Sequence, residues 1–300
     1  MSASENNLQT PTRIKIALQK NGRLTESTLA LLQRCGLDFQ WAKDRLLCQC
    51  SNFPLDLIFV RDDDIPEHIL RGTCDLGFVG ENVVLEKVKP SRQSEIITHE
   101  RLDYGKCRLS ICWPKEEAFL GLSTLQNKKI ATSYPEILED FLQKNNVQSE
   151  VVLLNGSIEI APSLGLVDGI CDLVATGSTL KSHGLKEVHT VLFSECILIG
   201  KKPTDTQKIL YIQDFLLRLR STRKAQTMKY VMMNAPREAL PQIRSLIPGL
   251  EHPSIVALDN NPDKIAIHAV CNEDSLWAKM DDLKKLGASS ILVLPIEKII

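Results

Sequence analysis

The residues best placed to do chemistry run Ile170-Cys171-Asp172-Leu173-Val174-Ala175-Thr176-Gly177-Ser178-Thr179-Leu180. An apolar run that breaks into Thr-Gly-Ser-Thr and then resumes helix-compatible residues predicts a strand, a tight loop and a helix start. At such a junction the first N–H groups of the helix lack internal partners, and the hydroxyls of Thr176, Ser178 and Thr179 add donors beside them, which suits an anion. Gly177 lets the backbone approach a phosphate closely. Asp172, an acceptor-only carboxylate near the end of the strand, suits vicinal hydroxyls better than a second phosphate. An acid beside a phosphate cradle points to a phosphorylated sugar. A capped helix after a buried strand uses the same residue types, so the surroundings must decide.

Three further groups bear on that choice. Gln19-Lys20-Asn21-Gly22-Arg23-Leu24 follows a strand expected over Arg13 to Leu18 and precedes an amphipathic stretch from Thr25 to Arg34. Lys20 and Arg23 thus stand at the carboxyl end of a strand, where open α/β sheets bind ligands, and either grip an anion or are solvated residues of a helix start. Asp62-Asp63-Asp64-Ile65-Pro66 offers three carboxylates, but Asp64 two residues before a proline reads better as an N-cap than as a metal ligand. Asn155-Gly156-Ser157-Ile158-Glu159 is a turn leading to an acid, a ligand to a ribose hydroxyl or a carboxylate favoured by a helix dipole.

The elements that must position these residues form two similar halves. Cys74-Asp75-Leu76-Gly77-Phe78-Val79-Gly80 echoes Cys171-Asp172-Leu173-Val174-Ala175-Thr176-Gly177, and Lys15-Ile16-Ala17-Leu18 echoes Lys129-Ile130-Ala131-Thr132, in the same order. The echo predicts two α/β lobes with a ligand between them: the first over residues 1–106 with return strands at about 188–204, the second over 107–187. A linker helix at 205–225 follows, its apolar residues Ile209, Ile212, Leu216 and Leu219 stepping by three and four. The remainder, 226–300, reads as β-α-β-β-α-β, the ferredoxin-like order, with a helix opened by Pro236 and with Asn234, His252, Ser254 and His268 as its polar candidates. One face of such a sheet is free for oligomerisation or effector sensing.

The formal net charge of -1 provides no field for a nucleic acid or an anionic membrane. Nine cysteines without a CxxC predict reduced, buried thiols rather than a zinc site. The polar start and the lack of a long uncharged apolar run predict a cytoplasmic protein with neither signal peptide nor membrane span.

Glu159, Gly165, Ile170, Asp172, Leu173, Thr176, Gly177, Thr179 and Leu180, with Lys20-Asn21-Gly22-Arg23-Leu24 and Asp64-Ile65-Pro66, resemble the long form of the ATP phosphoribosyltransferase family over nearly the whole chain. Val167 departs, standing where the family pattern prefers a small residue. The resemblance implies that N1 of the adenine of ATP attacks C1 of phosphoribosyl pyrophosphate, with Mg2+ present and pyrophosphate released. It implies two periplasmic-binding-protein-like lobes flanking a cleft, a regulatory domain binding histidine, and a homo-oligomer between dimer and hexamer. Arg23, Arg45 and Lys20 take the catalytic roles by this analogy. Glu159, Asp172, Ala175, Thr176, Gly177, Ser178, Thr179 and Leu180 contact phosphoribosyl pyrophosphate; Leu18, Gln19, Lys20, Gly22, Arg23 and Asp75 contact ATP; Asn234, His252, Ser254 and Ala269 contact the effector. The rival readings are a two-lobed small-molecule receptor that is not an enzyme and a phosphoribosyltransferase with another acceptor base.

Overall fold

The computed structural model describes residues 12–40, 45–175, 177–259 and 261–300. Two units emerge, one running to Ala30 and resuming over Leu37–Tyr211, the other joining Leu31–Gly36 to Ile212–Ile300. The first unit contains both predicted lobes, each with its own sheet.

The first lobe begins with β1 (Ile14–Gln19), α1 (Arg23–Arg34), β2 (Leu47–Gln49), β3 (Leu55–Val60), α2 (Ile65–Leu70), β4 (Leu76–Gly80), α3 (Glu81–Lys87) and β5 (Ile97–Arg101). The second lobe contributes β6 (Cys107–Pro114), β7 (Lys129–Thr132), α4 (Pro135–Lys144), β8 (Glu150–Leu153), β9 (Gly169–Val174), α5 (Ser178–Ser182) and β10 (Leu185–Ser194), after which β11 (Cys196–Gly200) returns to the first sheet. The strand orders are β2-β3-β1-β4-β11-β5 and β10-β6-β9-β7-β8. β1 lies parallel to both β3 and β4, and β7 lies parallel to both β8 and β9. All five residues of β4 are buried, as a strand covered on both faces requires. In the second lobe Leu138 and Leu142 of α4 cover one face of the sheet, while Val167, Ile170, Val174 and Leu180 pack on the other. Val167, the departure from the family pattern, is absorbed into that core.

The sequence echo is real in topology but misaligned by four residues. Matching Ile16 to Ile130 through the strand registers makes Leu76 the counterpart of Gly169, so Asp75 corresponds to Asp168 and not to Asp172. The hydrogen bonds agree: Asp75 accepts from Lys15 N at 2.8 Å and Asp168 accepts from Lys129 N at 2.8 Å. Each carboxylate brackets the start of its lobe's central strands.

Three local expectations are corrected. Only β11 returns to the first lobe; β10 pairs antiparallel with β6 along its whole length and belongs to the second. Asp64 occupies the N-cap position of α2 but has helical backbone angles and no side-chain capping bond, because residues 62–64 already form a 3-10 turn. Pro236 closes a strand, paired with Lys264, and the helix that follows is opened by Pro241.

The second unit takes in most of α6 (Thr206–Gln226) and then β12 (Met228–Pro236), α7 (Leu240–Leu246), β13 (Ser254–Leu258), β14 (Asn261–Asn272), α8 (Glu273–Lys285) and β15 (Ser289–Pro295). The sheet order β13-β14-β12-β15 is the ferredoxin-like arrangement. Val231, Met233, Ala235, Ile265, Ile267, Ala269, Leu276 and Leu283 form its core between sheet and helices.

Candidate active site

In the first lobe β1, β3 and β4 end at one edge with Gln19, Val60 and Gly80. The chain turns out of β1 at Lys20, whose N–H donates to Val60 O at 2.8 Å, and enters α1 at Arg23. Gly22 makes the turn possible: its φ is +142°, and a Cβ there would come within 2.5 Å of the Gln19 amide. Thr25 Oγ1 closes the turn on Gln19 O at 2.9 Å, leaving Lys20 and Arg23 exposed at the edge. The 3-10 turn of Asp62–Asp64 leaves β3 at the same edge, as does the Glu81-Asn82 start of α3 after β4. The backbone of residue 45 reaches the same edge, since Leu46 O accepts from Phe59 N and sets it level with Val60, while the Arg45 side chain lines a cavity with Asp38, Phe39, Cys48 and Ser51. Two strand spacings, about 10 Å, separate that backbone from β1.

The second lobe presents the matching edge. β7 leads to Tyr134 and α4, β8 leads to the turn containing Glu159, and β9 leads to Ala175 and Gly177. Gly177 has φ +77° and sits at the N-cap of α5; a Cβ there would make an ordinary contact with Val174, which leaves backbone conformation as the reason for glycine. Asp172 shares a strand face with Ile170 and Val174. Its carboxylate accepts from Leu173 N at 2.7 Å. Burial first, and the neighbouring Glu159 charge after the Leu173 bond, act on this group; the net effect holds its pKa above the usual carboxylate value despite the field of Arg23.

These two edges face each other. Arg23 of the first lobe lies close enough to Asp172 and to Cys107, at the start of β6, to act on both electrostatically. The Tyr134 hydroxyl interacts with the Asn82 side chain and lies near Asp172, Asp62 and Asp63; burial, followed by those three carboxylates, pushes its pKa up and keeps the phenol a hydrogen-bond donor. Asn82 Oδ1 accepts from Ser194 Oγ at 2.8 Å, and Asn82 N donates to the same hydroxyl at 3.1 Å. A cleft thus has Lys20, Arg23 and Asn82 with the carboxylates of Asp62 and Asp63 on one side, and Asp172 and Glu159 beside a glycine-turned helix start on the other.

A family profile for ATP phosphoribosyltransferase, HisG, matches residues 61–221, and one for the HisG C-terminal domain matches residues 225–298. The chain belongs to the ATP phosphoribosyltransferase family. A solved ATP phosphoribosyl transferase (HisG:HisZ) complex from Thermotoga maritima is 26% identical, with a TM-score of 0.59 over 69% of this chain and 96% of that one. The alkanesulfonate-binding protein SsuA from Xanthomonas axonopodis pv. citri is 15% identical with a TM-score of 0.46, covering 70% of this chain and 73% of its own. A histidine kinase sensor domain with similarity to periplasmic binding proteins is 12% identical with a TM-score of 0.45, covering 69% and 90%. The ATP phosphoribosyltransferase family performs the first step of histidine biosynthesis, and its membership decides against both rival readings.

Within this ATP phosphoribosyltransferase fold, the residues expected at the site separate by position. Lys20, Gly22, Arg23, Glu159, Asp172, Ala175 and Gly177 stand at the two edges. Thr176 lies outside the described residues, and the side chains of Ser178 and Thr179 are likewise not described. Leu18 and Leu180 are 1% and 7% exposed, so packing claims their side chains and leaves only their main chains for a ligand. The Gln19 side chain is tucked beneath Gly22.

Asp75 is a correction. It sits at the amino end of β4, at the opposite end of the strands from Lys20, and pairs with Lys208 Nζ at 2.8 Å. Ala269 is a second correction: 5% exposed, it lies in the helix-covered core, whereas Asn234 and Ser254 occupy the other sheet face. His252 is exposed in the loop before β13. Asn234 Oδ1 is buried and has no hydrogen-bond partner among the described residues. Sequence reasoning passed over Asn82 and Tyr134. The signal was present, since Gly80-Glu81-Asn82 and Ser133-Tyr134-Pro135 are strand-to-helix junctions like the two that were singled out.

Proposed function

We propose that the second-lobe edge holds phosphoribosyl pyrophosphate and the first-lobe edge holds ATP, with adenine N1 directed at C1 of the sugar. The observation that carries this reading is the electrostatic proximity of Arg23 to Asp172 across the cleft. The 5′-phosphate occupies the loop from Ala175 to Leu180, using the N–H groups after Gly177, which a helix start leaves without helical partners, and the hydroxyls of Thr176, Ser178 and Thr179. It gains no charge in the reaction and serves to position the sugar. Asp172 takes the ribose hydroxyls; held above the usual carboxylate pKa by burial, it gains most from a hydrogen-bond donor that arrives with the ligand.

Breaking the bond from C1 to pyrophosphate builds positive charge on the sugar and negative charge on the leaving group. Arg23, with Lys20 and Arg45 along the same edge, is suited to receive that negative charge. Mg2+ fits the opposite edge. Glu159 and Asp172 are neighbouring oxygen donors that repel one another, and Mg2+ commonly uses one or two carboxylates together with substrate phosphates. When bound, the ion would neutralise the pyrophosphate oxygens.

In the second unit Asn234 and Ser254, with His252 two residues before Ser254, are the proposed histidine contacts, and feedback inhibition follows from that site. The free sheet face supports a homo-oligomer, from dimer to hexamer. Nine free thiols fit a reducing compartment, in keeping with the cytoplasm.

The test is pyrophosphate release, expected only when ATP and phosphoribosyl pyrophosphate are both supplied. Arg23→Ala should lower kcat by about 100-fold, the scale of losing one donor to a developing anion, and change phosphoribosyl pyrophosphate affinity far less. Equal losses in both would reject the role given to Arg23.

A further inference from the structure

We propose that Glu86 is a positioning residue for phosphoribosyl transfer: its carboxylate reaches from α3 of the first lobe to the start of α4 in the second and sets the register of the two edges. The inference rests on the assignment of one substrate to each lobe. Glu86 accepts from Glu136 N at 3.2 Å and from Ile137 N at 3.1 Å. Both amides lie in the first turn of α4, where N–H groups have no partner within the helix. Pro135, the first residue of that helix, has no N–H to offer.

The contact is unusual in its surroundings. Glu86 is 8% exposed, and its neighbour Lys87 pairs instead with Asp63 at 3.2 Å. Burying a carboxylate is costly; among the described residues no ion pair reaches Glu86, and the amides and positive dipole end of α4, with the field of Lys87, offset that cost. Burial raises the Glu86 pKa, and the two amides draw it back. An apolar side chain would fill the position more cheaply, so the carboxylate needs a reason beyond packing.

Geometry supplies one. Tyr134 immediately precedes Pro135, so the phenol that reaches Asn82 and the amides that reach Glu86 belong to one rigid junction. Asn82 and Glu86 lie four residues apart on α3 and therefore on the same helix face. Together they dock the first turn of α4 at two points. Attack of one substrate on another held by the opposite lobe requires near-contact geometry, and a displacement of about 1 Å costs roughly 100-fold in rate. Glu86 acts through α4 and its amides, and its closest polar partners are backbone groups rather than cleft side chains.

The experiment compares Glu86→Ala and Glu86→Gln with the wild type by steady-state kinetics and by amide hydrogen exchange of the segment 134–142. Glu86→Ala should lower kcat at least tenfold, leave the KM for phosphoribosyl pyrophosphate within twofold and speed exchange at the start of α4. Glu86→Gln keeps an oxygen acceptor and should recover kcat to within threefold of wild type. Faster exchange with unchanged kcat, or a rise in KM matching the fall in kcat, would overturn the proposal by reducing Glu86 to a helix cap. Exchange does not depend on turnover, so a failure of the substrate assignment appears in the wild type and a failure of the latch appears in the variants.

Discussion

Asp172 carries a stability cost that the proposed ligand would offset. Its carboxylate is taken out of water and placed beside Glu159, with one backbone amide and the field of Arg23 in partial return. The folded chain therefore holds the Asp172 proton more tightly than the unfolded chain, whose carboxylate keeps the ordinary value of 3.8. Stability is lowered above the folded pKa, and the penalty vanishes once pH falls below the unfolded one. Asp172→Asn should accordingly stabilise the ligand-free protein near pH 7, with the gain fading as pH falls towards 3.8 in urea titrations. The same variant should bind phosphoribosyl pyrophosphate at least about tenfold more weakly, the scale of a lost hydrogen bond to a charged group. An unchanged dissociation constant would remove Asp172 from the site. Its place near the end of an apolar strand was legible from sequence, because the run from Ile170 to Val174 breaks at the Thr-Gly that follows. The role of Asp75 was not, because an identical Cys-Asp-Leu string begins one strand and lies inside another, and only hydrogen-bond register distinguishes them.

At the scale of elements, the site depends on turns that bring backbone amides and cations to the strand ends. Gly22 and Gly177 both have positive φ, but their surroundings differ. Among the described residues a Cβ at Gly177 meets only Val174 Cγ1 at 3.7 Å, whereas one at Gly22 collides with the Gln19 amide. Gly177→Ala should cost about 1–2 kcal/mol, the strain of a left-handed residue. Gly22→Ala adds a steric clash to a strained backbone and should cost more, unless Gln19 swings away. Equal midpoints in denaturant titrations of the two variants would contradict this ordering. Strand and helix positions followed from periodicity, since burial on alternate residues or on a stripe is local information. The return path did not: β10 and β11 are separated by Glu195 alone, and nothing in so short a junction indicates which sheet each strand joins.

For the molecule as a whole, the two units should answer to different ligands. Phosphoribosyl pyrophosphate with Mg2+ is expected to slow amide exchange around β9 and α5, and histidine to slow it in β12, β13 and β14. A ligand at 100 times its dissociation constant stabilises the state it binds by about 2.7 kcal/mol, enough to resolve the two patterns. Protection of β9 by histidine, with none in the second unit, would move the effector site. Asn234→Ala should weaken histidine inhibition while sparing uninhibited turnover, because Asn234 Oδ1 is a buried acceptor with no partner among the described residues. Unchanged inhibition would return Asn234 to a structural role.

The sequence by itself determined the doubled plan of the first unit, the ferredoxin-like order of the last 75 or so residues, and the strand-end junctions at Lys20 to Arg23 and after Asp172. Each of these follows from residue type and short-range spacing, which hydrophobic periodicity and turn chemistry encode locally. Tertiary structure alone decided that Asp75 brackets a strand, that Ala269 faces a core, that Asn82 and Tyr134 meet, and that Glu86 docks α4. Those are pairings between residues distant in the chain, and they become defined only when strand register and lobe packing bring their partners within hydrogen-bond range.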